Sequence, residues 1–131
     1  PKVVVLDEVQ NLDHKDGSPL SKYLREGRKF GVSLIMATQI MSNLNKDERD
    51  RMFNAGHKLF FRPADTEMKA YAEIASVSTK EKPEVWLNRL SELKKGECYS
   101  LGPSVNSSTG KLESKAFHTH IASLSERFSN G

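Results

Sequence analysis

Two adjacent carboxylates at the end of an apolar run are the first residues of this chain with the makings of chemistry. Pro1-Lys-Val-Val-Val-Leu-Asp7-Glu8 puts Asp7 and Glu8 directly after four aliphatic residues. A Val/Leu run without polar alternation predicts a strand buried on both faces in the middle of a parallel α/β sheet. Such sheets hold ligands beyond the carboxyl ends of their strands. There, one carboxylate can hold the water shell of Mg2+, and a second can polarise a water for attack on a γ-phosphate. The same residues also suit a plain buried strand whose Asp-Glu opens a loop. A second run, Phe30-Gly-Val-Ser-Leu-Ile-Met-Ala37, ends in Thr38 and Gln39. A glutamine in that place can hydrogen-bond a water or a phosphate oxygen without adding charge.

The elements between these runs decide whether the four residues meet. Residues 12–19 are polar and turn-rich, with Ser18 placed to cap a helix and Pro19 at its first position. Leu20, Tyr23, Leu24 and Gly27 recur at i, i+3, i+4 and i+7, which predicts an amphipathic helix over 19–29. Strand, short helix, strand is the pattern of a right-handed crossover, so the two strands are expected to be parallel with their polar ends on one edge. Asp7, Glu8, Thr38 and Gln39 then converge. Arg28 falls in the last turn of the helix, where the dipole favours a cation whatever its role.

Further on, Asn45-Lys-Asp-Glu48 has the form of a capping box for a helix running to about Ala55. Residues 57–62 read as a third strand ended by Pro63, and Asp65 as the cap of a helix in which Met68, Tyr71, Ala72 and Ala75 share a face. A polar linker is expected over 77–82. Pro83 then opens a helix that places Trp86, Leu90 and Leu93 in the core, and Lys94, Lys95 and Gly96 close it. Residues 97–101 and 116–124 read as an antiparallel strand pair around a Ser-rich turn. His118 and His120 share a face of the second strand, two ligands short of a zinc site. Residues 125–131 are expected to fray.

Composition narrows the class. The chain has 131 residues, a net charge of +3, 37% hydrophobic residues and one cysteine. That is one domain's worth of core or part of a larger one, and the opening Pro1 inside an element suggests an excised piece. No apolar run approaches the roughly 18 residues of a membrane span, so no membrane partner is expected. Cys98 cannot form an internal disulfide, which fits a reducing compartment and a cytoplasmic location. The mild basicity permits nucleic-acid contact without demanding it.

The order Val-Val-Val-Leu-Asp-Glu, then Leu24-Arg-Glu-Gly-Arg28-Lys-Phe-Gly31, then Leu34-Ile-Met-Ala-Thr-Gln39 resembles the HerA/FtsK branch of P-loop ATPases, hexameric motors that move DNA. The wording is also similar to the HerA-type ATPase of bacterial phosphorothioate-dependent DNA restriction systems. The resemblance is strong over residues 1–40 and rests on element order beyond them. It implies a Walker B pair, with Asp7 holding Mg2+ through water and Glu8 as the catalytic glutamate. It also implies a sensor at Gln39 beside Thr38, and an arginine finger at Arg28 that acts on a neighbouring subunit's nucleotide, with Arg25 as reserve. ATP and Mg2+ are the implied cofactors; DNA, a homo-oligomeric ring and a nuclease or restriction protein are the implied partners.

One part of that family's machinery is missing. A phosphate loop needs Gly-x-x-x-x-Gly-Lys-[Ser/Thr], and the nearest stretch, Gly102 to Lys111, has a seven-residue spacer and Leu112 after the lysine. It reads as a flexible turn. The expectation is therefore a single partial domain over 1–131, the C-terminal half of a RecA-like core. It would have a mainly parallel sheet, a C-terminal antiparallel pair and the phosphate loop upstream. In isolation it should be inactive and should either pair its second and third strands directly or associate through bare strand edges. The competing reading is a non-catalytic interaction module of the same fold. A Rossmann-like enzyme lacks its glycine fingerprint.

Overall fold

A computed structural model describes residues 2–13, 15, 17–53 and 56–129, without the Arg51 side chain. The chain divides into two compact units, Pro1–Ala55 and Gly56–Gly131. It is a mixed α/β protein with one two-stranded parallel sheet and one three-stranded antiparallel sheet.

In the first unit, β1 (Lys2–Leu6) is joined to β2 (Val32–Met36) through α1 (Pro19–Glu26). The strands pair in parallel from Lys2↔Val32 to Leu6↔Met36, as a short helical crossover dictates. Ser18 caps α1, its Oγ accepting the Ser21 N–H at 3.2 Å, with Pro19 in the first turn. The α-helix stops three residues short of Lys29. Residues Gly27–Phe30 tighten into a 3-10 turn, and Gly31, at φ 67°, closes it in a conformation that favours glycine. The capping box forms at α2 (Lys46–Phe53), where Asn45 Oδ1 accepts the Glu48 N–H at 2.9 Å. The expected end of that helix near Ala55 lies outside the described residues. Val9, Leu20, Met41, Leu44 and Met52 form the buried set of this unit.

The double burial expected of β1 is not found. Val3 and Val5 are 64% and 67% exposed, and Ile35, which pairs with Val5, is 56% exposed. With a side-chain period of two, Val3 and Val5 fall on one face of the sheet together with Ser33 and Ile35. Val4, Leu6, Leu34 and Met36 take the half-buried face. A two-stranded sheet in this unit has one covered face, and the apolar run supplies residues for two.

The second unit contains β3 (Lys58–Phe61), α3 (Met68–Thr79), α4 (Pro83–Ser91), β4 (Glu97–Val105), β5 (Leu112–His120) and α5 (Leu124–Ser129). Its sheet runs in the order β3-β4-β5 and is antiparallel throughout. This corrects the expectation for residues 57–62. Instead of extending the parallel sheet or pairing with β2, β3 pairs with β4, from Lys58↔Leu101 to Phe61↔Cys98. The hairpin of β4 and β5 is as expected in kind but shifted in extent: β4 runs on to Val105, while β5 covers Leu112–His120, so that residues 121–124, expected as strand, lie beyond it.

Helices α3 and α4 cover one face of this sheet. Phe60 meets Tyr71 of α3 edge-on at 5.9 Å, and Tyr99 meets Trp86 of α4 at 5.2 Å. Trp86 and Leu90 are fully buried, as the helical spacing required; α4 stops at Ser91, short of the expected close at 94–96, and Leu93 is nearly buried from beyond its end. The Trp86 Nε1–H donates to Thr79 Oγ1 at 2.7 Å, giving the buried indole its polar partner. The supposed linker is therefore helix over its first half: α3 runs through Thr79, whose hydroxyl also donates to the Ala75 carbonyl. Asp65 does not cap α3 with its side chain. It pairs with Arg62 at 3.7 Å, and the residue before the helix is the buried Glu67. The segment expected to fray contains α5, begun by Ser123 Oγ accepting the Glu126 N–H. Its last two residues lie outside the description.

Candidate functional site

The carboxyl ends of β1 and β2 are stitched together beyond the ladder. The Ala37 N–H donates to the Leu6 carbonyl at 2.9 Å, and the Val9 N–H donates to the Ala37 carbonyl at 3.1 Å. Asp7 and Glu8 are the two residues skipped between those bonds. They form an exposed bend at the strand end, anchored on its far side by the fully buried Val9.

Glu8 sits at φ 51°, ψ 45°. For a residue with a Cβ this left-handed conformation costs about 1–2 kcal/mol, and residues held so often mark functional positions. Local hydrogen bonds compensate: the Glu8 N–H donates to Asp7 Oδ1 at 2.8 Å, and the Glu8 carbonyl accepts the Asn11 N–H at 3.0 Å. One oxygen of Asp7 is thereby fixed in direction by the backbone. An exposed carboxylate steered in this way suits a water-mediated contact to a hard cation.

Thr38 and Gln39 follow Ala37 directly, so the parallel pairing puts them at the same edge as Asp7 and Glu8. The Thr38 hydroxyl lies 2.7 Å from Gln10 Oε1 and 3.1 Å from the Ile40 carbonyl, and shares its proton between them. Gln10, three residues past Asp7, thus ties the two strand ends together through side chains. Its only signal in the sequence is a polar residue shortly after the acidic pair. Gln39 is exposed.

Arg28 is placed elsewhere. It lies in the 3-10 turn that precedes β2, at the amino ends of the strands, where the Lys2 N–H donates to the Gly31 carbonyl at 3.0 Å. Five residues of strand, roughly 15 Å, separate that end from Asp7 and Glu8. Arg25 is in the last turn of α1, on the approach to the same end. Within one chain, neither arginine joins the acidic pair.

The Gly102–Lys111 stretch is structurally unlike a phosphate loop, which runs from strand into helix. Gly102 lies inside β4, where an added Cβ would come within 2.5 Å of the His57 ring and 3.0 Å of the Gly56 carbonyl. Residues 106–111 make a hairpin turn organised by Asn106, whose Oδ1 accepts the Ser108 and Thr109 N–H groups. Gly110, at φ 69°, then leads into β5. His118 Nε2 lies 3.0 Å from a Glu97 carboxylate oxygen and His120 Nε2 lies 3.8 Å from one of Glu126. Among the described residues no group of three or more His, Cys, Asp or Glu is arranged to hold a metal. No helix among them is long and apolar enough to cross a membrane.

No protein-family model matches this chain, and no curated protein matches it either.

Proposed function

We propose that residues 1–40 carry the Walker B and sensor half of a RecA-like ATPase site in a DNA-translocating motor of the HerA/FtsK kind, possessing a phosphate loop supplied from outside residues 1–131. The observation that carries the reading is the edge where β1 and β2 end in register. It holds Asp7, Glu8, Thr38 and Gln39 together at the place where parallel sheets bind ligands. Bound Mg2+-ATP would bring the phosphoryl group and the charge that neutralises it. Asp7, steered by the Glu8 N–H, suits the metal's water shell. Glu8 is the group to orient and deprotonate an attacking water, and Gln39 is the neutral donor and acceptor beside it.

Arg28, at the opposite end of the strands, suits action on a neighbouring subunit, which makes a closed ring, hexameric by resemblance, the working form. A cytoplasmic role in DNA restriction alongside a nuclease belongs to the same proposal. Glu8→Gln, made in a chain that includes the phosphate loop, should leave ATP binding largely intact and lower turnover about 10²-fold or more. Unchanged turnover would remove the assignment.

A second reading, a non-catalytic module that binds a protein or nucleic-acid partner, is favoured by the bare face of Val3, Val5 and Ile35. Under that reading Glu8→Gln changes nothing, whereas a charge placed at Val5 abolishes partner capture.

A further inference from the structure

The second unit contains a cavity of about 550 Å³ that has no part in the reading above. It opens between the end of α3, the start of the α3–α4 connection, Arg89 of α4 and the hairpin strands. Its walls include Ser78, Lys80, Glu81, Arg89, Tyr99 and Ser114.

Two features make it a built pocket. First, Arg89 is held from both sides: its guanidinium lies over the Trp86 ring at 4.8 Å and grips the Glu81 carboxylate through both terminal nitrogens. Glu81 is thereby committed, and two cations face one carboxylate across the walls, which leaves them net positive. Lys115 reaches the rim, but strand alternation puts its side chain on the opposite face, where Nζ pairs with Glu113 at 3.4 Å. Second, Lys80 takes φ 61°, ψ 20° at the end of α3, a position that glycine or asparagine fills at lower cost. A lysine kept in a left-handed conformation at a pocket mouth runs against stability, and such outliers gather at ligand clamps.

We infer that this pocket binds a phosphate monoester, with Lys80 as its charged anchor. An ammonium and a hydroxyl from the end of α3, Lys80 and Ser78, and a second hydroxyl from β5, Ser114, line the same cavity, a donor set that suits a phosphate's several oxygens. The volume is that of a small-molecule site and exceeds what a bare phosphate fills. The Tyr99 ring, set edge-on between Trp86 and His118, provides a wall for the organic part.

The test is amide NMR of the 131-residue chain titrated first with inorganic phosphate, then with AMP, beside the Lys80→Gly variant. Glycine suits the backbone at 80, so the variant should melt at the same temperature or higher while losing the anchor. Saturable shifts at Ser78, Lys80 and Ser114, tighter binding of AMP than of phosphate, and an affinity at least tenfold weaker in Lys80→Gly are expected. A 5′-phosphorylated trinucleotide that displaces AMP, where its 5′-hydroxyl counterpart does not, makes the natural source a nucleic-acid end. Failure of both to displace it makes the source a free ester. The inference is overturned if shifts grow linearly and scatter over the chain, an adventitious ion only, or if Lys80→Gly binds within twofold of the parent. The Asp7 and Glu8 reading stands or falls separately, since none of its residues touches this cavity.

Discussion

The two units bury their apolar residues differently. In Gly56–Gly131, two helices lie on one face of a three-stranded sheet, and Phe60, Tyr71, Trp86, Leu90 and Leu101 close into a core with edge-on aromatic contacts. In Pro1–Ala55, the sheet has two strands, the buried set contains no aromatic residue, and Val3, Val5 and Ile35 stand bare. A small sheet with one solvated apolar face is marginal by itself. The residues with the best claim to chemistry therefore sit on the less self-sufficient frame, and the more ordinary surface sits on the better core. The better core and the Asp7–Gln39 strand edge are carried by separate parts of the chain.

Trp86→Ala should break this contrast most severely. It removes a fully buried indole, its hydrogen bond to Thr79 and the platform beneath Arg89. A loss of about 3–5 kcal/mol is expected, read by hydrogen exchange as early opening of amides in β4 and α4. Exchange of β1 and β2 amides should be unaltered; equal loss in both units would mean that they fold as one.

A smaller effect follows from alkali. Burial, and then the neighbouring Glu67 carboxylate, push the Tyr71 phenol up to about 12. Because the folded state resists ionisation, this stabilisation is present in full below the ordinary value near 10. It is lost between 10 and 12, as the unfolded chain gives up its proton first. The second unit should lose about 1 kcal/mol by pH 11, and roughly 2–3 kcal/mol once both states are ionised. Denaturant titrations at pH 9 and 11 measure it, and Tyr71→Phe should flatten the difference.

Val5→Thr sharpens the comparison from the other side. At a bare sheet position the change should stay within about 0.5 kcal/mol. A cost above 1 kcal/mol in the same titration would show that this face is covered in solution.

What could be read from the sequence was local. Ser18 with Pro19, Asn45 with Glu48, and Trp86 with Leu90 each involve residues within a few positions of one another, and their physics survives in the fold. The parallel pairing of β1 with β2 was also legible, because a short crossover permits little else. What failed was choice of partner and of face. Nothing in Lys58–Phe61 tells a parallel neighbour from the antiparallel β4 that it finds. Val-Val-Val-Leu specifies an apolar strand without stating how many layers will cover it. At the candidate site, the meeting of Asp7 and Glu8 with Thr38 and Gln39 followed from topology. The left-handed turn at Glu8 and the bridge from Gln10 did not, since both arise where the chain must skip two residues to re-enter the ladder.

Cys98 is the chain's single thiol, fully buried near the start of β4, the middle strand of its sheet, and burial holds its pKa above the usual thiol range. A thiol both covered and protonated reacts only when its surroundings open. Its alkylation rate is therefore a clock for the second unit alone. The first unit has no sulfhydryl with which to answer, and its motions pass unrecorded by the same reagent.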